Sequence, residues 1–255
     1  GQGANGINSA GNINILQSGS GTHEIDIEGT VTSTNTSTGT ISLTTLGGGA
    51  ITNNVLGFGP GTLEARNINM TTTSGAIGAG TDVQVANNSG ALGTLTIQTA
   101  GASANITSNG SNGYSVNTGG VSGSVGNLTY TANGGGAHGI GSTANTINSS
   151  GNVILQGVSG TNAQFVLNRG INANSGDITI SATGSGNISR NAGAGFIIGN
   201  TVNLRTEGQA IGDSLNPILF SAPTVTIGTN GTGEANIWGG RSYDLTTAGA
   251  GVSQV

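Results

Sequence analysis

The stretch 174–182, NSGDITISA, contains the pattern on which the fold of this chain depends. Gly176 and Asp177 precede Ile178, and apolar and polar residues alternate from there. The pattern recurs in SAGNINILQ (9–17), STGTISLTT (37–45), ALGTLTIQT (91–99), SVGNLTYTA (124–132) and SSGNVILQG (149–157). Gly and Asn favour turns, and a period of two is typical of a strand with one buried face. Each phrase therefore predicts a turn that leads into a β-strand.

The phrases form a repeat with a period of about 23 to 33 residues. The period separates the first apolar residues of successive units, which are Ile13, Ile41, Ile68, Leu95, Leu128, Val153, Ile178, Val202 and Val225. A second apolar position follows in every unit and a third is less regular, which indicates two or three strands per unit. Repeats of this length without helical spacing predict an all-β fold, a parallel β-helix or β-solenoid whose coils stack by parallel strand pairing.

We expect about nine or ten coils, which at about 4.8 Å per coil would form a rod roughly 45 Å long. Ladders of Ile, Val and Leu would fill its core, and Asn, Ser and Thr would face water. No domain boundary is visible, so residues 1–255 are predicted to form one solenoid segment, which we expect to be part of a longer chain. The period widens between Leu95 and Leu128, which predicts an excursion around residues 108–124 and a contact surface there.

Composition excludes several classes of function. The chain has 50 glycines, no cysteine, no lysine, and 5 arginines against 10 acidic residues. Low charge argues against disorder, and the absence of cysteine excludes disulfides and thiolate metal sites. Nucleic-acid binding needs clustered positive charge, but the arginines are scattered, at Arg66, Arg169, Arg190, Arg205 and Arg241. We therefore expect no nucleic-acid partner and no cofactor.

A row of threonines at alternate positions occupies residues 30–40, TVTSTNTSTGT. An ice-binding face would need threonines stacked at one position of successive coils, whereas this row runs along the chain. The outward position of the repeat instead mixes Asn, Ser, Thr and Ile. We interpret residues 30–40 as a solvent-facing strand followed by a turn.

Two stretches carry a resemblance to a known family: NRGINANSGDITISATGSGNIS (168–189) and GNTVNLRTEGQAIGDSLNPILFSAPTVTIGT (199–229). They resemble the repeats of filamentous-haemagglutinin-type adhesins of Gram-negative bacteria. The resemblance implies a right-handed parallel β-helix that is secreted across the outer membrane by a partner protein or an autotransporter barrel. It also implies a fibre at the outer cell surface that contacts host or bacterial cells and their glycans. The usual right-handed crossover favours the same winding.

The function that we expect is the structural shaft of a secreted, surface-exposed adhesin. The alternative is a self-assembling filament, because an uncapped solenoid end offers unpaired strand edges to another copy. A polysaccharide-degrading enzyme is a third interpretation, since parallel β-helices also house such enzymes. That reaction needs carboxylates that converge on one face. The aspartates fall at different phases of the repeat, at Asp82, Asp177, Asp213 and Asp244, so we expect no enzyme.

Three local features are candidate sites. Glu24, Asp26 and Glu28 alternate in THEIDIEG and would share one face, where carboxylates could hold Ca²⁺; a solvated outer face is the favoured interpretation. Trp238, with Arg241 and Tyr243 close by, could contact a glycan or could cover the end of the core, which we favour. His138 lies in the glycine-rich phrase GGGAHGIG, which predicts a turn position.

Overall fold

A computed structural model of the chain describes residues 6–53, 60–119, 124–230 and 233–247. These residues form short parallel strands and contain no helix. The strands stack as a β-solenoid of about 10 turns. The predicted fold class is therefore confirmed, and the right-handed winding stays a prediction.

The strands lie on three faces of the solenoid. Face A is an 11-stranded sheet made of β1 (Ile7–Ser9), β4 (Val31–Ser33), β7 (Thr62–Glu64), β9 (Val83–Ala86), β11 (Ala104–Ser108), β13 (Leu128–Ala132), β16 (Val153–Gly157), β19 (Ile178–Ser181), β22 (Thr201–Thr206), β24 (Thr224–Thr229) and β26 (Asp244–Thr247). Face B is an 8-stranded sheet made of β2 (Ile13–Gln17), β5 (Thr40–Thr45), β8 (Asn67–Thr72), β10 (Gly93–Gln98), β12 (Tyr114–Asn117), β14 (Gly136–Ile140), β17 (Ala163–Leu167) and β20 (Ile188–Arg190).

Face C consists of two smaller sheets. The first is formed by β3 (Ile25–Asp26) and β6 (Ile51–Thr52). The second contains β15 (Ile147–Asn148), β18 (Ile171–Asn172), β21 (Ile197–Ile198), β23 (Ile218–Ser221) and β25 (Ile237–Gly239). Single bridges extend the faces beyond these strands, as at Ile211, which pairs with Ile188 and Ala235.

The core consists of apolar ladders, as predicted. On face B, Ile68 pairs with Ile41 on one side and with Leu95 on the other, and all three are fully buried. On face A, Ile178 pairs with Val153 and Val202 in the same way. Residues between them point outward, because successive side chains of a strand alternate between its two sides. Parallel pairing therefore places like residues above like residues along the rod.

The prediction of an excursion around residues 108–124 is wrong for the part that the structure describes. The register shows that Leu95 pairs with Val116, only 21 positions later, and β12 is buried within face B. The first apolar residues of the successive units do not all lie on one face. Those from Ile13 to Leu95 lie on face B, whereas Leu128 lies on face A and pairs with Ala104. The widened period records this change rather than a longer coil. Residues 120–123 lie outside the described residues.

The threonine row is solvent-facing, as predicted, but it is not one strand. Residues 31–33 form β4, the chain turns at residues 36–38, and Thr40 already begins β5. Asn35 holds this turn, because its Oδ1 accepts hydrogen bonds from the backbone N–H groups of Ser37 (3.1 Å) and Thr38 (3.0 Å). Stacked outward positions of the faces mix residue types, as in the face B series Asn14, Ser42, Asn69, Thr96 and Asn117.

The glycine of the repeated phrase is required because a residue with a Cβ atom would not fit there. A Cβ atom at Gly176 would collide with the backbone carbonyl of Gly151, the equivalent glycine of the preceding coil. Gly93 and Gly126 meet carbonyl oxygens of the preceding coil in the same way. Gly11, at the same position of the first phrase, has nothing within 4 Å of such a Cβ. At Gly93, Gly126 and Gly176 the coils approach so closely that only glycine fits.

This difference provides a matched test. We expect Gly176→Ala to lower the free energy of unfolding by about 1 to 3 kcal/mol, the usual cost of forcing extra atoms into a packed site. Gly11→Ala adds the same methyl group to open space and should change it by less than about 0.5 kcal/mol. Urea unfolding followed by circular dichroism measures both values. Equal effects of the two substitutions would contradict the steric explanation.

Candidate functional site

Face C carries a stripe of exposed apolar side chains near the C-terminal end of the described rod. Leu219 pairs with Trp238, and the pairing of Ile197 with Phe220 places Phe196 beside Leu219. The Phe196 and Trp238 ring centroids are 6.1 Å apart, with the ring planes tilted by 48°. Trp238 is 56% exposed, and Phe196 and Leu219 are half-buried. We call Phe196, Leu219 and Trp238 the aromatic stripe.

A tight turn adds a further apolar side chain before β23. The carboxylate of Asp213 accepts hydrogen bonds from the backbone N–H groups of Leu215 (2.8 Å) and Asn216 (2.7 Å). These bonds, first that from Asn216, lower the pKa of Asp213 because they favour its charged form. The turn leaves Leu215 87% exposed. Leu215 and Trp238 thus place two exposed apolar side chains on adjacent coils of a mostly polar surface.

The other two predicted glycan-contact residues differ in position. The Arg241 side chain is exposed, and its Nε donates to Ser221 Oγ at 2.8 Å, which fixes the guanidinium beside face C. Tyr243 is half-buried, and its ring packs edge-on against Phe220, with centroids 4.7 Å apart. Tyr243 therefore covers the core, which is the interpretation favoured from the sequence. Trp238 and Arg241 remain on the outside.

Sequence reasoning missed Phe196 and Leu219 as partners of Trp238. Neither residue is near Trp238 in the sequence, and the three meet only because successive coils of face C stack in register. A face-by-face alignment of the repeats would have placed them in one column. The first apolar residue of each unit does not provide such an alignment, because it lies on face B up to Leu95 and on face A from Leu128.

The acidic stretch does not form a metal site. Asp26 is half-buried and accepts a hydrogen bond from Thr52 Oγ1 at 3.2 Å, while Glu24 and Glu28 are exposed. Alternate residues of an extended chain lie about 6 to 7 Å apart, too far for three carboxylates to converge on one ion. Within residues 6–53, 60–119, 124–230 and 233–247, no group of three His, Cys, Asp or Glu side chains could hold a metal ion. The candidate Ca²⁺ site at these three residues is thus not formed.

The four aspartates considered for catalysis make separate contacts. Asp82 accepts from Thr107 Oγ1 at 2.6 Å, and Asp177 accepts from Asn200 Nδ2 at 3.1 Å. Asp213 holds its own turn, and the backbone N–H of Asp244 donates to the Pro223 carbonyl. Each of these carboxylates thus lies in a different local setting. That the chain is not an enzyme stays a prediction.

Most of the positive charge is used to fasten turns. Arg66 donates to the Ser37 carbonyl (2.6 Å), Arg169 to the Thr143 carbonyl (2.6 and 2.8 Å) and Arg190 to the Ala194 carbonyl (2.5 Å). Arg169 and Arg66 thereby connect turns of successive coils. Arg241 also contacts the Ser221 carbonyl, at 3.3 Å.

His138 is not at a turn, contrary to the prediction. It lies within β14 and is completely buried. Its Nδ1 is 2.8 Å from the hydroxyl of Tyr130, which is also completely buried. Together with Tyr114, which lies in the neighbouring strand β12, these residues form a buried cluster of titratable side chains in a mostly apolar core.

No known protein family, characterised protein or solved structure matches this chain. The described residues contain no helix that is long and apolar enough to cross a membrane.

The stripe and the core beneath it can be separated by mutation. We expect Trp238→Ala to lower the free energy of unfolding by only about 1 kcal/mol, because more than half of the side chain is in water and its ring contact is with Phe196. Phe220→Ala should cost about 3 to 5 kcal/mol, because Phe220 is fully buried in the adjacent coil. Chemical denaturation of both variants measures the difference. A large cost at Trp238 would make it a structural residue and remove it from the candidate site.

Proposed function

We propose that this chain is the structural shaft of a secreted adhesin on the outer surface of a Gram-negative bacterium. The observation that carries the proposal is the uninterrupted stacking of like residues along about 10 turns, which makes a stiff rod rather than a compact globule. The outward positions are small and mostly uncharged, as suits a spacer. The resemblance of residues 168–189 and 199–229 to filamentous-haemagglutinin-type repeats supports the same function.

The composition also supports secretion through an outer-membrane partner. A chain that passes unfolded through a narrow pore must not be cross-linked on the way, and this chain has no cysteine. Its core is built from repeated local units, each of which pairs its strands with those of the adjacent units. Such a chain can fold coil by coil as it emerges.

The aromatic stripe and Arg241 are the contact surface that we propose for this shaft. The flat face of an exposed Trp stacks on the C–H groups of a sugar ring, and an adjacent guanidinium donates to its hydroxyl groups. The partners would be glycans of a host or bacterial cell surface. Tyr243 is excluded from this surface, because its ring packs on Phe220.

End-to-end assembly into a filament is a second candidate function, favoured by a cavity at the β1 end of the rod. The cavity has a volume of about 240 Å³, and its apolar lining includes Ile7, Ile15, Ile25 and Leu43. Ile7 is 47% exposed there. The inward side chains of one further coil, from the same or from another chain, would fill this space.

Electron cryomicroscopy of the native material, with intact-mass analysis of the denatured chain, tests the shaft against the filament. A continuous rod whose chain mass greatly exceeds 24.6 kDa would support the shaft. Rods of the same length that dissociate into chains of about that mass would establish the filament and contradict the shaft.

An adhesion assay tests the contact surface. Beads coated with the protein should bind cultured epithelial cells. The double variant Trp238→Ala, Arg241→Ala should weaken binding at least about thirtyfold, because such residues each contribute above about 1 kcal/mol at a contact. Leu92→Ala, at another exposed apolar position, is the matched control and should leave binding unchanged. Equal binding by all three proteins would contradict a contact at the aromatic stripe.

A further inference from the structure

The buried cluster of titratable side chains lies near the middle of the rod. His138 pairs with Phe165 in β17, and the register of β12 with β14 places Tyr114 on its other side. Tyr130 faces it across the core from β13, with the two ring centroids 5.6 Å apart. The Phe165 ring lies 5.8 Å from the imidazole. The imidazole is therefore enclosed by three aromatic rings and has no contact with water.

The hydrogen bonding of this imidazole suits only its neutral form. Nδ1 shares one hydrogen bond with the Tyr130 hydroxyl at 2.8 Å, and Nε2 is buried without a hydrogen-bond partner. Protonation would place a proton on both ring nitrogens, so Nδ1 could only donate to Tyr130 and the N–H of Nε2 would be buried without an acceptor. The new charge would also lie in an apolar core with no opposite charge to offset it.

No charged group around His138 offsets the charge of its protonated form, which only the backbone of Gly134 favours. The titratable groups that face it are Tyr130 from β13 and Tyr114 from β12, and burial raises the pKa of both phenols, so both stay neutral. Strand β17 contributes Phe165, which carries no charge. The one carboxylate that acts on the cluster is Glu64, and it acts on Tyr114. The Tyr114 hydroxyl itself donates to the Ala65 carbonyl at 2.7 Å.

The sign of the pH dependence follows from this burial. Burial lowers the pKa of His138 to about 4, and the backbone of Gly134 opposes part of this shift. A histidine whose folded pKa lies below its unfolded value near 6.5 contributes its full stability above about pH 6.5. That contribution is lost as the pH falls from there through about 4, because the opened chain binds the proton more tightly.

We propose that β12, β13, β14 and β17 form an acid-sensitive joint of the rod, which opens locally when His138 is protonated while the coils on either side stay stacked. The flanking coils have aliphatic ladders, such as Ile41, Ile68 and Leu95 on one side and Ile178, Val202 and Val225 on the other. Strand pairing joins each coil of a solenoid to its neighbours, and the Tyr114 hydroxyl adds a bond to Ala65 two coils away, so opening is expected to reach few levels of the rod. The joint would let a surface fibre bend or separate in an acidic environment.

Hydrogen exchange measured by mass spectrometry at pH 7 and pH 4, corrected for the intrinsic rates, tests the proposal. We expect the opening equilibrium of residues 114–167 to rise on the order of a hundredfold between these pH values, as a shift from 6.5 to about 4 predicts. Residues 178–206 should change far less. Both segments belong to one molecule, so the difference between them separates the effect of His138 from the general effect of carboxylate protonation.

The chain contains only two histidines, which gives a matched pair of variants. His138→Gln should abolish the extra acid sensitivity of residues 114–167, whereas His23→Gln, on the exposed residue, should preserve it. Should His138→Gln fail to fold, the imidazole NMR signals of the wild-type protein give the same answer, since His138 should remain neutral down to below pH 5. Uniform acid opening along the rod, equal acid sensitivity of the two variants, or titration of His138 near pH 6.5 would each overturn the proposal.

Discussion

Parallel hydrogen bonding between successive coils is the constraint on which the rest of this structure depends. It fixes the coils about 4.8 Å apart, so each side chain lies directly above its counterpart in the previous coil. That spacing excludes a Cβ atom at Gly176 and aligns Ile178 with Val153. It also leaves the outward positions to small polar residues, which tolerate neighbours at this distance. The sequence repeats because every coil must fit this one spacing.

The fold could be predicted because alternation and period act locally and recur many times. The assignment of strands to faces could not, because three short strands per coil carry similar patterns and a change of face between Leu95 and Leu128 looks like a longer loop. The site was predicted only in part. Trp238 stood out by its chemistry, but Phe196 joins it through register, which a linear sequence does not display. His138 resembled a turn residue because glycines surround it.

The surface of this rod is mostly polar and its core mostly apolar, and each contains an exception. Arginines such as Arg66 and Arg169 are held by backbone carbonyls of neighbouring coils, so they reinforce corners rather than create a basic surface. The exposed apolar stripe around Trp238 is therefore the most distinctive chemistry on the outside. Inside, apolar ladders fill most of the core, and the cluster around His138 brings titratable side chains into it. The two exceptions lie at different levels of the rod and belong to different proposals.

The direction of the coil-to-coil hydrogen bonds has a mechanical consequence. On all three faces the strands run across the rod, so their hydrogen bonds point along its axis. A force applied to the two ends would break these bonds one coil at a time, rather than all together as in shear. Each coil that peeled away would release some twenty residues, extending up to about 3.4 Å each, in place of a spacing of about 4.8 Å. Such a fibre would lengthen in steps under tension and would absorb a sudden pull without breaking its covalent chain.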